Sequence, residues 1–242
     1  MREGGLIADG PPAVHAWRRG AEGFTVGVVS EVRSGWAEAA EDRVLDAMLV
    51  RAPLQGWTST TLARAAADAG LSPGDALLLL PHGARDLAAL LSRRHDRAVL
   101  GALCAVAPQS LKVRERIAVA VQARIDAAMA DEPAVRRCVG FLALPQHLPL
   151  AARLAWESAD AIWRWAGDTA TDENHYSKRA ILSAVLTSTL AVRVASGKAA
   201  AQAHLDRRIA DVMAFEKWKA GVKPPSASAA ARWLGGLRYG RG

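Results

Sequence analysis

The densest group of side chains that could carry out chemistry lies between Trp163 and Arg179, where the sequence reads WRWAGDTATDENHYSKR. Within it, Asp172 precedes His175 by three residues, which places an acid and a histidine on one face of a helix. Di-iron sites in helical bundles use such pairs, but they need a second pair and further inward carboxylates. The sequence lacks a second pair in a plausible position. We therefore expect no metal site, with Asp172 as a helix cap and His175 at a surface or interface.

Other catalytic patterns are missing from the sequence. There is no phosphate-binding glycine loop and no G-x-S-x-G elbow. An enzyme would need a buried pair of ionisable groups, which the sequence does not reveal. We predict a protein that is not an enzyme, with no catalytic residue and no cofactor. Four other histidines are scattered, and each is expected in a loop or on a helix surface: His82, His95, His147 and His204.

The elements that carry these residues read as helices throughout, so we predict an all-α fold. Hydrophobic residues make up 51% of the chain, and its apolar residues recur at helical spacing from Glu38 onward. Glycine, proline and capping residues divide the pattern into nine helices. No convincing strand is present, although residues 24–29 have some isolated strand character. The predicted helices cover about 38–52, 57–70, 73–80, 85–105, 111–130, 133–144, 148–166, 172–195 and 199–220.

The helices fall into a small unit and a larger one. Residues 1–36 show no sustained period and are expected to form a flexible extension. Residues 37–105 have the layout of a helix-turn-helix head, and residues 106–221 form a larger helical domain. Residues 222–242 form a basic, aromatic tail. The head and the larger domain together resemble the layout of TetR-type regulators.

The chemistry of the head argues against reading DNA. A recognition helix presents basic or amide side chains to phosphates and base edges. Here that helix reads DALLLL from Asp75 to Leu80, and acids outnumber bases between Trp57 and Ser92. A TetR-type transcriptional regulator with a small-molecule pocket remains the alternative, and a positive face at 75–80 would favour it.

The net charge of +7 is concentrated at the C-terminal end. Residues 217–242 hold six bases and no acid, so the rest of the chain is close to neutral. Aromatic residues among these bases suit an anionic membrane surface. A solvated, disordered tail is the alternative. The residues predicted to meet the membrane are Lys217, Trp218, Lys219, Trp233, Leu234 and Arg238.

The helix after the junction mixes large apolar residues with Ser, Thr and Ala at spacings of three and four. Small side chains allow tight packing of a neighbouring helix, or leave space for a long apolar ligand between helices. Both interpretations stay open from the pattern alone. The residues predicted to line such a ligand site are Leu154, Trp156, Ile162, Trp163, Val185, Leu186 and Ser188.

Two motifs carry a family resemblance. The first runs from Trp163 to Ala180 as W-x-W-A-G-D-x-x-T-D-x-N-x-Y-x-K-R-A, and the second is the run L-D-R-R-I-x-D-V-M-x-F-E from Leu205 to Glu216. Together with Gly56-Trp57 and G-L-S-P-G from Gly70, they resemble the ubiquinone-biosynthesis accessory family, the ninth coenzyme Q protein.

The resemblance implies a TetR-like fold that has lost DNA binding, a pocket for isoprenoid quinones or their precursors, and a homodimer through the last two long helices. It also implies a surface that docks the di-iron hydroxylase acting on demethoxyubiquinone. At His175 the family usually has Trp, so an aromatic contact is replaced by a smaller polar ring. The expected location is the cytoplasm, peripheral on the inner membrane of a bacterium. The residues expected to dock the hydroxylase are Asp168, Asp172, Asn174, His175, Tyr176, Lys178 and Arg179.

Overall fold

The computed structural model describes residues 26–169 and 173–221. Within these ranges the secondary structure is helical, which confirms the all-α, TetR-like class. Short 3-10 turns at Pro108–Ser110 and Pro145–His147 separate some of the helices. The α-helices are α1 (Val26–Gln55), α2 (Ser59–Asp68), α3 (Pro73–Leu79), α4 (Ala84–Leu103), α5 (Val113–Met129), α6 (Glu132–Leu142), α7 (Leu148–Trp165) and α8 (Glu173–Gly221).

The N-terminal boundary of the first helix was predicted too late. Helix α1 begins at Val26, twelve residues before the expected Glu38, and its first residues include most of the patch with strand character. Adding residues to an existing helix needs no new nucleation, so a stable segment extends into sequence that shows no period of its own. Pro53 lies inside α1, which continues to Gln55. Residues 1–25 of the predicted extension lie outside the described residues.

The capping signals in the head act as the sequence predicts. Thr58 precedes α2, and its side chain accepts a hydrogen bond from the backbone N–H of Thr61. Ser72 does the same for Asp75 at the start of α3, with Pro73 in the first turn. Trp57 is buried and donates from Nε1 to the carbonyl of Ala84 over 2.8 Å. This bond ties the loop before α2 to the start of α4.

The core consists of two main apolar clusters that α4 and α5 connect. The first lies among α1, α2, α4 and α6 and includes Leu45, Met48 and Leu87. The second lies among α4, α5, α7 and α8 and includes Val121 and Leu205. Because α6 packs on α1, the first cluster contains residues from both sides of the boundary predicted at residue 105. The head and the larger domain therefore share one continuous interior.

Helix α8 contains a break at Gly197, which has φ 84° and ψ −176°. This break divides α8 into a first arm, residues 173–196, and a second arm, residues 198–221. The two arms correspond to the last two predicted helices. By length and hydropathy the stretch Asn174–Phe215 is apolar enough to cross a membrane, yet only 22% of its window is buried within the chain. Core helices of soluble proteins can have the same length and hydropathy. The large apolar residues Leu182, Val185 and Leu186 of the first arm are buried, whereas Met213 and Phe215 of the second arm are exposed.

Candidate functional site

The junction between α7 and α8 is organised by a buried ion-pair network. Arg179 is 2% exposed and donates from Nε to Asp160 over 2.6 Å and from Nη1 to Asp168 over 3.1 Å. Its Nη1 also donates to the carbonyl of His175. Lys178 donates from Nζ to the other oxygen of Asp168 over 2.7 Å. These bonds fix the first turns of α8 against the end of α7.

The network changes how three of the predicted docking residues are interpreted. Burial alone would raise the pKa of Asp168, but hydrogen bonds from Lys178 and Arg179 outweigh it and lower that pKa. Asp168 is therefore a charged carboxylate whose side chain is only 6% exposed. The Arg179 side chain does not belong to an exposed docking surface as predicted, because adjacent residues on a helix point in different directions and Arg179 is the inward one. Lys178 is partly exposed, with its Nζ 5.3 Å from the centre of the Trp163 ring.

Beside the network lies an aromatic edge at the molecular surface, formed by Trp156, His175 and Tyr176. Tyr176 is 64% exposed, and its ring centre lies 6.2 Å from that of Trp156. His175 packs edge-on against Tyr176 at 5.1 Å. Asn174, which precedes His175, is exposed. Asp172 lies outside the described residues, so its predicted role as a cap and docking residue stays a prediction.

A cavity of about 240 Å³ opens beside this edge; we call it the junction cavity. Trp163 and Lys178 form its wall at the junction, and Val113 and Ile117 of α5 face them. Both arms of α8 contribute, since Ile181 and Met213 also line it. The break at Gly197 makes this possible, because it folds the second arm of α8 back toward the first.

A larger cavity of about 360 Å³ lies among α4, α5, α6, α7 and α8; we call it the bundle cavity. One end is closed by buried residues such as Ile125 and Leu154. Exposed residues line the other end, including Leu148, which is 53% exposed, and Ala191. The cavity is therefore a blind pocket with a mouth between the start of α7 and the first arm of α8. Its volume lies at the low end of the range for small-molecule sites.

The residues predicted to line a lipid pocket are divided between the two cavities and the core. Leu154 and Leu186 line the bundle cavity, whereas Trp163 and Val185 line the junction cavity. Ile162 is packed in the second core cluster. Trp156 belongs to the aromatic edge, and neither cavity includes it among its described lining residues. Ser188 is bonded to His204 of the second α8 arm over 3.0 Å instead of facing either cavity.

Sequence reasoning missed a polar cluster at the closed end of the bundle cavity. Arg124 donates from Nε to Asp96 over 2.6 Å and from Nη2 to the hydroxyl of Ser92 over 3.1 Å. Ser158 donates to Asp96 over 2.8 Å. These residues come from α5, α4 and α7 and are far apart in the sequence. The apolar period of α5 gave no signal that Arg124 points inward.

His95, expected on a surface, is also buried, and the expectation was wrong. It is 5% exposed, with its Nε2 3.2 Å from Asp131. Burial, with the nearby charge of Arg124, lowers the pKa of His95 to about 4 despite the opposing effect of Asp131. The ring lines neither cavity, so a bound molecule in either one would not reach it. His95 is a packed core histidine that links α4 to the start of α6.

Two alternatives can be compared with this geometry. Within residues 26–169 and 173–221, no group of three or more His, Cys, Asp or Glu residues lies close enough to hold a metal ion. Helix α3 carries no base, Leu77 and Leu78 are exposed on it, and Asp75 accepts a bond from Ser72. The positive face that would favour a DNA-binding regulator is therefore missing from this helix.

The fold and cavities define an all-α protein of TetR-like architecture, with a blind apolar pocket and a head that lacks a basic recognition helix. Residues 148–216, which form α7 and most of α8, match the model of the COQ9 family. The family resemblance predicted from the two sequence motifs is thereby confirmed.

Curated relatives agree with this match at modest identity. The chain is 27% identical over 164 residues to the ubiquinone biosynthesis protein COQ9 of Homo sapiens, covering 63% of this chain and 50% of that protein. It is 27% identical over 191 residues to the COQ9 protein of Rattus norvegicus, covering 73% and 59%. It is 28% identical over 163 residues to the COQ9-B protein of Xenopus laevis, covering 63% of this chain and 54% of that protein. The chain thus spans only about half the length of these relatives.

The comparisons contradict the expected location. The sequence led us to expect a cytoplasmic protein on the inner membrane of a bacterium, but these relatives are named as mitochondrial proteins. Net charge and a basic tail do not distinguish one compartment from another, which is why the sequence could not give this answer. Of the residues predicted to meet a membrane, Trp233, Leu234 and Arg238 lie outside the described residues. Lys217 is exposed near the end of α8, which also contains Trp218 and Lys219.

Proposed function

We propose that this chain is a non-catalytic, lipid-binding accessory protein of ubiquinone biosynthesis. It binds an isoprenoid quinone intermediate and presents it to the di-iron hydroxylase that acts on demethoxyubiquinone. The observation that carries the proposal is the overlap between the family match and the cavity walls. The matched stretch, residues 148–216, supplies α7 and most of α8, and both helices line both cavities.

The apolar lining explains why a lipid would be the ligand. An isoprenoid chain is poorly soluble in water, and burial of apolar area stabilises a complex by roughly 25 cal/mol per Å². Residues such as Leu154, Leu186 and Leu190 offer that area in the bundle cavity. Since the cavity has an open mouth, a chain too long for its 360 Å³ can extend outward. The ligand enters without any need to unfold the protein.

The aromatic edge supports hydroxylase docking. Exposed aromatic side chains are over-represented among residues that dominate binding energy at interfaces. Tyr176 offers such a side chain, while the ion pairs of buried Arg179 with Asp160 and Asp168 hold its helix in place. In this proposal Asn174, His175 and Tyr176 contact the hydroxylase, and the buried charges only position them.

Membrane contact and dimerisation complete the proposal. The basic, aromatic stretch that begins at Lys217 would bring the chain to an anionic bilayer from which the lipid is taken. The second arm of α8, where Met213 and Phe215 are exposed, would pair with the same arm of a second copy, since exposed apolar side chains favour association.

The docking step is tested with His175→Trp in a pull-down against the purified hydroxylase. We expect the larger aromatic ring to strengthen binding about tenfold, which corresponds to roughly 1.4 kcal/mol. His82→Trp is the matched control, because it places the same side chain at an exposed histidine in the head. Tyr176→Ala should weaken binding. Equal affinities for His175→Trp, Tyr176→Ala and the wild type would rule out docking at this edge.

A further inference from the structure

The closed end of the bundle cavity combines a buried charge with an available hydrogen-bond donor. Arg124 is 9% exposed, and it is the one charged residue among the described residues that line this cavity. Its Nε and Nη2 are occupied by Asp96 and Ser92. Among the described residues, none accepts a hydrogen bond from its Nη1. Nη1 is also not one of the side-chain nitrogen and oxygen atoms that are fully buried without a hydrogen-bond partner. Arg124 therefore lines the cavity with one guanidinium nitrogen, Nη1, that no described residue occupies.

The charge at this end of the cavity is already balanced. Asp96 lies 2.6 Å from Arg124 and also accepts from Ser158, so it is held as the counter-charge of the guanidinium. Both side chains are at most 15% exposed. A further anion beside this pair would bury a net negative charge, which is costly at a site shielded from water. A neutral oxygen can accept from Nη1 without changing the charge balance.

Away from the polar cluster around Arg124 the lining is apolar except for Thr187, whose hydroxyl donates to the carbonyl of Ser183, and this distribution sets the orientation of a bound molecule. Leu154, Leu186 and Leu190 lie along its walls, and exposed Leu148 and Ala191 lie at the mouth. An amphipathic lipid would lose hydrogen bonds if its polar end stopped among the leucines. With the polar end at Arg124 and the tail toward the mouth, each part meets matching chemistry.

We infer that Arg124, balanced by Asp96, forms a polar subsite that selects isoprenoid lipids with a neutral oxygen-bearing head, such as a quinone carbonyl or a hydroxyl, over those with an anionic phosphate head. This inference rests on the lipid binding proposed above and adds the head-group class and the direction in which the lipid enters. The head enters first, and the tail projects through the mouth.

The test compares two probes that share one isoprenoid chain. Farnesol has a neutral hydroxyl, and farnesyl diphosphate has an anionic head. Their binding to the full chain is measured by calorimetric titration. We expect the wild type to bind farnesol at least tenfold more tightly, which corresponds to one charge-compatible hydrogen bond. This comparison needs no variant, so it does not depend on how a substitution folds. Equal binding, or tighter binding of the diphosphate, would overturn the inference while leaving lipid binding intact.

Two variants locate the selection at this subsite. Asp96→Asn leaves the guanidinium without its counter-charge, so the preference should shift toward farnesyl diphosphate by about tenfold. Glu157→Gln is the matched control, because Glu157 is a neighbouring carboxylate on α7 that pairs with Arg93 and lies outside the cavity lining. The double variant Asp96→Asn with Arg124→Met keeps the charge balance but removes the donor, and should weaken farnesol binding about tenfold.

The outcomes separate the two claims. An unchanged preference in Asp96→Asn, with its fold verified by circular dichroism, would overturn the role of the subsite. A wild type that binds neither probe would instead overturn the lipid binding on which the inference rests.

Discussion

At the scale of single residues, Arg179 shows how a buried charge can position a surface. Its guanidinium joins Asp160 on α7 to Asp168 at the junction, and its own backbone lies in the second turn of α8, the helix that carries Tyr176. A buried ion pair contributes little net stability compared with an apolar core, but removal of one partner leaves the others uncompensated. The junction is therefore expected to be sensitive to loss of Arg179 and tolerant of changes at its exposed charges.

The first prediction concerns Arg179→Met. We expect a loss of roughly 3–5 kcal/mol in the free energy of unfolding, because two carboxylates lose their common cation. Arg164→Met is the control, since Arg164 pairs with the same Asp160 but is 74% exposed, and its loss should cost no more than about 1 kcal/mol. Urea denaturation measures both. Similar losses for the two variants would contradict the structural role assigned to Arg179.

At the scale of helices, His95 couples α4 to the start of α6 and makes stability depend on pH. Its pKa falls from 6.5 to about 4 on folding, so the unfolded chain binds a proton that the folded chain excludes between these values. The contribution of His95 to the free energy of unfolding is therefore fully present above pH 6.5. It is lost as the pH falls toward 4, by roughly 3 kcal/mol in total.

His95→Gln should therefore flatten the fall in unfolding free energy between pH 6.5 and 4. The measurement is a series of urea titrations across that range, with His82→Gln as a control for the loss of an exposed histidine. If the wild type and His95→Gln show parallel pH dependence, burial of a neutral imidazole is not the source of the slope.

The break in α8 is a second feature of this scale. Gly197 has φ 84°, a conformation that a side chain strains, although no atom lies within 4 Å of the position that a Cβ would occupy. Gly197→Ala should therefore destabilise the fold by roughly 1–3 kcal/mol through backbone strain alone. Gly140→Ala is the control, because Gly140 is helical with equally open surroundings, and its substitution should stabilise by about 0.4–1 kcal/mol. Thermal unfolding of both variants would show opposite shifts; shifts of the same sign would contradict the strain at Gly197.

At the scale of the whole molecule, local signals predicted the elements well and the site only in part. Capping residues such as Ser72 and the glycine break near 197 gave the order of the helices, because these signals act within one turn of the chain. The polar subsite was not predictable, since Asp96 and Arg124 are 28 residues apart and Asp96 and Ser158 are 62 apart. Only tertiary packing brings them together. The same holds for Arg179, whose inward direction depends on α7.

The architecture as a whole joins a shared interior, a blind apolar pocket and a neighbouring aromatic edge. Helices α7 and α8 line both cavities and also carry the residues of the aromatic edge. Lipid binding and hydroxylase docking would therefore involve the same pair of helices. The central claim is that the bundle cavity holds an isoprenoid lipid. Filling it with a bulky side chain addresses that claim without touching the edge.

The most direct measurement is native mass spectrometry, with lipid extraction, on the wild type and on Ala155→Trp, which places an indole in the cavity lining on α7. Ala152→Trp is the control, because Ala152 is exposed on the same helix and lies outside the cavity lining. The account predicts a co-purifying isoprenoid lipid in the wild type and in Ala152→Trp, and at least a tenfold lower occupancy in Ala155→Trp. A wild type without such a lipid, or equal occupancy in all three proteins, would contradict it.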